Sequence, residues 1–243
     1  MGAMEYNALW TSLKGRLAGL NAPWPAIRRN TPIGFDLASE RLNLAQITRA
    51  GTELRWQAVA GLPYPTPRAE LLADPAAFRS FVRDGFKRHG FRGRRVVSVL
   101  PPGELQVISV DYTTPNGQDD TATLLRTLKD RFKSGLDDAV VDVLPIRRPP
   151  ESNLRSAVVA VAPRERVIAH LELLQSAGLE PVAVDIGPAA LARVARALVT
   201  GDPRANQLII NFGARHSYLT LLWGRRLMFD RSLDFGEAHL ADT

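Results

Sequence analysis

The chain has 243 residues, of which 45% are hydrophobic and 23% charged, enough for one large or two modest domains. It has no cysteine, which excludes a disulfide framework, a thiolate nucleophile and a Cys-ligated metal. Its net charge of +6 permits attraction to anionic surfaces, while no apolar run approaches the roughly 18 residues of a membrane-spanning helix.

Met1-Gly2-Ala3 before Met4 resembles a cloning remnant. Residues 5–20 place Leu9, Trp10, Leu13 and Leu17 on one helical face, with Lys14 and Arg16 off it. This predicts a helix docked on its own domain, the alternative being an amphipathic segment for a membrane surface or a partner. Asn21–Thr31, with Pro23 and Pro25, reads as a linker.

A first strand–turn–strand device follows: Ile33–Leu37, a turn at Ala38-Ser39, Leu42–Ile47, then a third strand over Leu54–Ala60. Asp74 caps a helix with Pro75 in its first turn and Phe78, Phe81 and Val82 facing inward, and Gly90 or Gly93 ends it. Val96–Leu100 and Leu105–Val110 are strands. A turn at Pro115-Asn116-Gly117 leads to a helix with Leu124, Leu125, Leu128 and Phe132 inward, closed by Gly135. Ala139–Leu144 and Ala157–Ala162 are strands on either side of a loop at Arg147-Arg148-Pro149-Pro150. Pro163 opens a helix closed by Gly178, Val182–Val184 is a strand ending at Asp185, and Pro188 opens a helix with Leu191, Val194 and Leu198 on one face, closed by Gly201.

Asn206–Gly236 then reads as an antiparallel meander: a buried strand at Leu208–Ile210, a turn at Asn211-Phe212-Gly213, a strand over Ser217–Leu222, a turn at Gly224-Arg225 and a strand over Leu227–Ser232. The first turn presents backbone N–H groups in a geometry that suits an anion, phosphate above all. It also aligns without a gap on the earlier device: Asp36 falls at Asn211, Ala38 at Gly213, Leu44 at Leu219 and Ile47 at Leu222, a constant offset of 175 residues. Two such copies suggest related lobes facing each other, against the plainer reading that any two hairpins align over a dozen positions.

Other candidates carry less. His89, His170, His216 and His239 lack metal-ligand spacing. Arg79, Arg83, Lys87, Arg88, Arg92, Arg94 and Arg95 cluster on one helix and the turn after it. Such a cluster is usually a solvated face, less often one that meets anionic lipid or an acidic partner. Without interleaved aromatics it does not suggest nucleic acid. Arg147-Arg148 and Arg225-Arg226 read as solubilising loops, and no Ser/His/Asp arrangement appears.

The order of elements is α/β and no single parallel sheet explains it. Leu171–Leu191 (LELLQSAGLEPVAVDIGPAAL), Val96–Pro101 and Leu208–Gly236 together resemble the actin-like ATPase superfamily, and within it the type IV pilus assembly protein PilM family. The resemblance implies an actin-like (ribonuclease H-like) fold, with 32–112 plus 182–203 as subdomain 1A, 113–181 as an inserted subdomain 1C, and 204–243 as the start of subdomain 2A after an N-terminal segment and linker over 1–31. The family continues beyond this length, so the chain is expected to be a piece of a longer protein or a short relative.

By that resemblance Asp36 is the acid of the first phosphate turn and Ser39 a phosphate or metal contact. Asp185 is the acid that orders the attacking water, and Asn211 and Gly213 belong to the second phosphate turn. Ala38 stands where Gly is usual, Glu40 brings negative charge to an anion loop, Asn43 replaces a common basic residue, and Asn211 replaces an acid. The adenosine half of the site is missing. The expectation is a degenerate site and no cofactor, with ATP and Mg²⁺ as the alternative. Read from the residues alone, Asp36 accepts turn N–H groups, Asp185 caps the next helix, and Asn211 sits in a turn because Asn tolerates it.

The resemblance further implies a cytoplasmic scaffold at the bacterial inner membrane. Its partner would be the cytoplasmic tail of a PilN-like inner-membrane protein, held in a groove between 1A and 1C. Other machine components and self-association are further possibilities, and membrane contact would be indirect. The alternatives are an ATP-binding conformational switch or the cytoplasmic domain of a GspL-like type II secretion protein.

Overall fold

The structure is a computed structural model that describes residues 31–50, 53–101, 103–113, 120–132, 136–146, 154–198, 205–213, 217–223 and 226–241. Expectations about residues 5–20, the linker, the turns at 115–117 and 224–225, the loop at 147–150, Gly135, Gly201 and His216 lie outside them. The chain forms two compact units: Met1–Ser98 with Leu174–Val184, and Val99–Leu173 with Asp185–Thr243.

The first unit is built on a five-stranded sheet of order β3-β2-β1-β4-β8. Its strands are β1 (Ile33–Leu37), β2 (Arg41–Ala50), β3 (Glu53–Pro63), β4 (Arg95–Val99) and β8 (Glu180–Asp185). Alternation decides which side faces the core: Ile33, Phe35 and Leu37 are buried while Gly34 is exposed. Ser98, fully buried, donates from Oγ to the Phe35 carbonyl at 3.0 Å and ties β4 to β1. A short helix, α1 (Arg68–Ala73), has no strong sequence signal. The next, α2 (Pro75–His89), is capped as its sequence predicts: the Asp74 carboxylate accepts from the Ala76 and Ala77 amides at 2.9 and 3.0 Å. Gly90, at φ 77°, ends it.

One polar side chain holds three segments of this unit together. Gln46 on β2 is 2% exposed. Its Nε2 donates to the carbonyls of Thr31 and Arg92, each at 2.8 Å, and its Oε1 accepts from the Arg92 amide at 2.9 Å. The amide group thus satisfies the backbone where the chain approaches β1 and where it turns after α2.

The second unit holds an antiparallel sheet of order β5-β7-β6, from β5 (Gln106–Thr113), β6 (Ala139–Ile146) and β7 (Leu154–Pro163). Helix α3 (Asp120–Arg131) covers one face through Leu124 and Leu128, which pack with Val110, Tyr112, Ala157, Val159 and Val161. Leu125, expected inward, is exposed, because the buried stripe of α3 is only as wide as the three-stranded sheet. Helix α4 (Arg164–Ser176) follows β7, which runs on through Pro163, so the proline ends the strand instead of opening the helix. Helix α5 (Gly187–Leu198) packs on a second three-stranded sheet of order β11-β10-β9, made of β9 (Asn206–Asn211), β10 (Ser217–Trp223) and β11 (Arg226–Leu233). Val158, Ala192, Leu222 and Leu227 form the core there. Central β7 is covered on both faces, and so reads as an unbroken apolar run. Val194 of α5 and Leu208 and Ile210 of β9 were expected to be buried, and all three are exposed, the two strand residues at 59% and 56%. β9 packs through one face only, so its alternate residue Ile209 meets the core while Leu208 and Ile210 point away.

The two meanders, one in each unit, match in pairing as well as in sequence. Asp36 pairs with Asn43 and Asn211 with Tyr218, both shifted by 175 residues. The second strand of each is bulged, between Gln46 and Ile47 in β2 and between Leu221 and Leu222 in β10, again 175 residues apart. A shared bulge position is a specific feature that unrelated hairpins have no reason to share.

Replacing Gln46 by Leu strands three backbone groups in an apolar interior. We expect a loss of about 3 kcal/mol, read as a lower urea midpoint at unchanged slope. An unchanged midpoint would show that those groups find other partners.

Candidate functional site

In the first unit, Asp36 and Ser39 lie on the β1–β2 turn. Asp36 is half-buried, and its Oδ2 accepts from Asn43 Nδ2 at 3.0 Å, directly across the pair. Ser39 and Glu40 are exposed. Two groups that the sequence does not mark complete this corner. The Tyr64 hydroxyl donates to the Ala38 carbonyl at 2.9 Å, and its amide donates to the Glu40 carbonyl at 3.4 Å. Beside it, Arg68 brings a guanidinium whose Nε is buried without a partner. Burial pushes the Tyr64 hydroxyl up to about 12; Arg68 opposes the rise and the Asp36 charge adds to it. The turn expected to cradle an anion is closed by a phenol ring, and its acid is hydrogen-bonded by a neutral side chain.

In the second unit, Asp185 ends β8. Its Oδ1 accepts from the Ile186 amide at 2.8 Å, while its Oδ2 forms an ion pair with Arg193 of α5. Arg193 stands eight residues on, two turns into a helix that Pro188 begins, so the spacing alone could have suggested the pair. Asn211 ends β9 and is exposed. Gly213 accepts at its carbonyl from the Glu237 amide at 3.0 Å, where α6 (Glu237–Ala241) begins. Phe212 meets Phe235 edge-on at 5.8 Å, and Phe235 stacks on His239 at 5.5 Å. The Gly236 amide donates to His239 Nδ1 at 3.1 Å, and Ser217 Oγ donates to the Phe235 carbonyl at 2.6 Å. The run after β11 therefore folds back onto the second turn and occupies it.

Among the described residues, no group of three or more His, Cys, Asp or Glu side chains could hold a metal ion. No described helix is long and apolar enough to cross a membrane.

No protein-family model and no curated protein matches the chain. Among solved structures, a chain of a PilM–PilN type IV pilus biogenesis complex superposes with a TM-score of 0.72 over 88% of this chain, at 24% identity. This chain spans 65% of that one, just under two thirds. The cytoplasmic domain of EpsL, an inner-membrane component of the type II secretion system of Vibrio cholerae, matches over 83% of this chain and 70% of its own, at 14% identity and a TM-score of 0.48. A Bacteroides thetaiotaomicron protein with an actin-like ATPase fold matches over 88% and 73%, at 6% identity and a TM-score of 0.44. The chain has an actin-like α/β fold. Within that fold it is of the PilM type.

Tyr64 gives a pH signature. A hydroxyl raised from 10.0 to about 12 favours the folded state below pH 10, and that contribution is lost as pH rises towards 12. In an alkaline titration followed by phenolate absorbance, one of the four tyrosines should ionise late, and Tyr64→Phe should remove that late step. Stability should also fall less steeply from pH 10 to 12 in the variant.

Proposed function

We propose that the chain is an actin-like component of a type IV pilus or related secretion machine. It works by holding the cytoplasmic tail of a PilN-type inner-membrane protein and not by turning over nucleotide. The observation that carries this is the fold shared with a chain of the PilM–PilN complex along most of its length. An actin-like fold alone hosts many activities, so the state of the acids is what separates a scaffold from an ATPase.

Those acids do not fit Mg²⁺-nucleotide. Mg²⁺ prefers carboxylate oxygens and keeps waters that further carboxylates accept. Here Asp36 is taken by Asn43, Asp185 by Arg193 and the Ile186 amide, and the third position is the neutral Asn211. A cation would have to displace Arg193 before Asp185 could serve it. The proposed location is the cytoplasmic side of the inner membrane, where a tail of this kind would lie.

Two calorimetric titrations test the reading. A synthetic peptide of the N-terminal tail of the PilN-type protein encoded beside this gene should bind with a Kd of roughly micromolar or tighter. Mg-ATP at millimolar concentration should give no heat. Silence with the peptide overturns the scaffold reading. Clear heat with Mg-ATP that is lost in Asp36→Ala favours the switch.

A further inference from the structure

We propose that the first unit carries an anionic-lipid docking surface at the end where the β2–β3 hairpin runs past β1. The register of β1 on β2 covers Leu42–Ala45, whereas Ile47–Ala50 pair with Glu53–Trp56 beyond it as a two-stranded ribbon. The bulge at Gln46 and Ile47 falls where the ribbon begins, and it re-aims the side chains that follow. Trp56 is 69% exposed and Leu54 is 64% exposed. They stand two residues apart on one face of the strand, across from Ile47 and Arg49. A strand at the sheet edge that offers tryptophan and leucine to solvent is normally covered or blunted by charge.

Gln46 brings basic groups to this end. Its side chain holds the Arg92 backbone against β2, one residue before the ribbon. Arg92 follows the last turn of α2, which carries Lys87, Arg88 and His89. Lys87, Arg88 and Arg92 are exposed, as are Arg49 and Arg55 on the ribbon. The same Gln46 side chain holds Thr31, so Arg28 and Arg29 of the sequence lie only two and three residues away along the chain. Acidic groups nearby are few: Asp84 is paired with Arg83, Glu180 with Arg94, and Glu53 opens β3.

Exposed tryptophan and leucine flanked by arginine and lysine are what the headgroup layer of an anionic bilayer accepts: rings and aliphatic stems at the acyl boundary, cations among the phosphates. A nucleic-acid backbone would satisfy the cations but leave Leu54 and Trp56 in water. The lipid surface is therefore the occupant that uses every group present. The proposal does not depend on the pilus reading, because it requires no protein partner.

The test is flotation of the whole chain with vesicles of phosphatidylglycerol and phosphatidylcholine in equal parts, against phosphatidylcholine alone. Binding is expected to the first only and to weaken with salt. Two surface variants separate the contributions: Leu54→Ser with Trp56→Ser, and Arg88→Glu with Arg92→Glu. Each should lower the partition coefficient about ten-fold or more while circular dichroism stays native. No binding to the anionic vesicles, or binding that both variants retain, overturns the proposal. So does binding to a DNA duplex that the arginine pair abolishes and the Leu54/Trp56 pair leaves intact, if the vesicles bind nothing.

Discussion

The first unit depends on one buried amide. Gln46 sits where three stretches of chain meet, and each brings a backbone group that no strand or helix satisfies. A side chain with a donor and an acceptor at one end is the least costly way to pair them away from water. An aliphatic residue would bury better and pair nothing. The bulge begins at the same residue, so the side chain that anchors the chain's approach to β1 also marks where β2 leaves the main sheet. The exposed end of the hairpin is therefore a consequence of how its base is held.

The repeat gives the fold a second constraint. Two meanders share a turn register and a bulge, yet they differ in what they bury. In the first, Ile33, Phe35, Leu42 and Leu44 all reach the core. In the second, one face packs on α5 while Leu208, Ile210, Leu221 and Trp223 lie open on β9 and β10. Backbone pairing is copied more faithfully than burial, because a bulge is fixed by local geometry and burial by whatever lies opposite.

Much of this was legible in the sequence. The strands, the Asp74 cap, the Gly90 and Gly178 stops and the constant offset between turns all rest on local signals that fold and sequence share. What stayed hidden was set by distant partners. Leu125, Val194, Leu208 and Ile210 are apolar at plausible core positions, and only the width of the opposing layer leaves them exposed. The candidate site shows the same division. Asp36, Asp185, Asn211 and Gly213 could be placed on their turns from spacing. Tyr64 and Arg68 could not, since they come to the first turn from beyond β3, and no local pattern ties a phenol to the Ala38 carbonyl.

The charges at the two turns follow one rule. An acid kept for a metal must be desolvated enough to hold it and unpartnered enough to give up its lone pairs. Asp185 has the position but not the freedom, because Arg193 reaches back from the helix that the acid precedes. Asp36 keeps a hydrogen bond from Asn43, a residue that carries no charge and repels no cation, so that corner is the more adaptable of the two. If the chain descends from a nucleotide-binding fold, the second turn has moved further from that chemistry than the first. There an acid has become Asn211, and Phe235 and His239 fill the space beside it. Aromatic side chains packed onto a turn stabilise it without any ligand, which is what a protein that only has to present a surface requires.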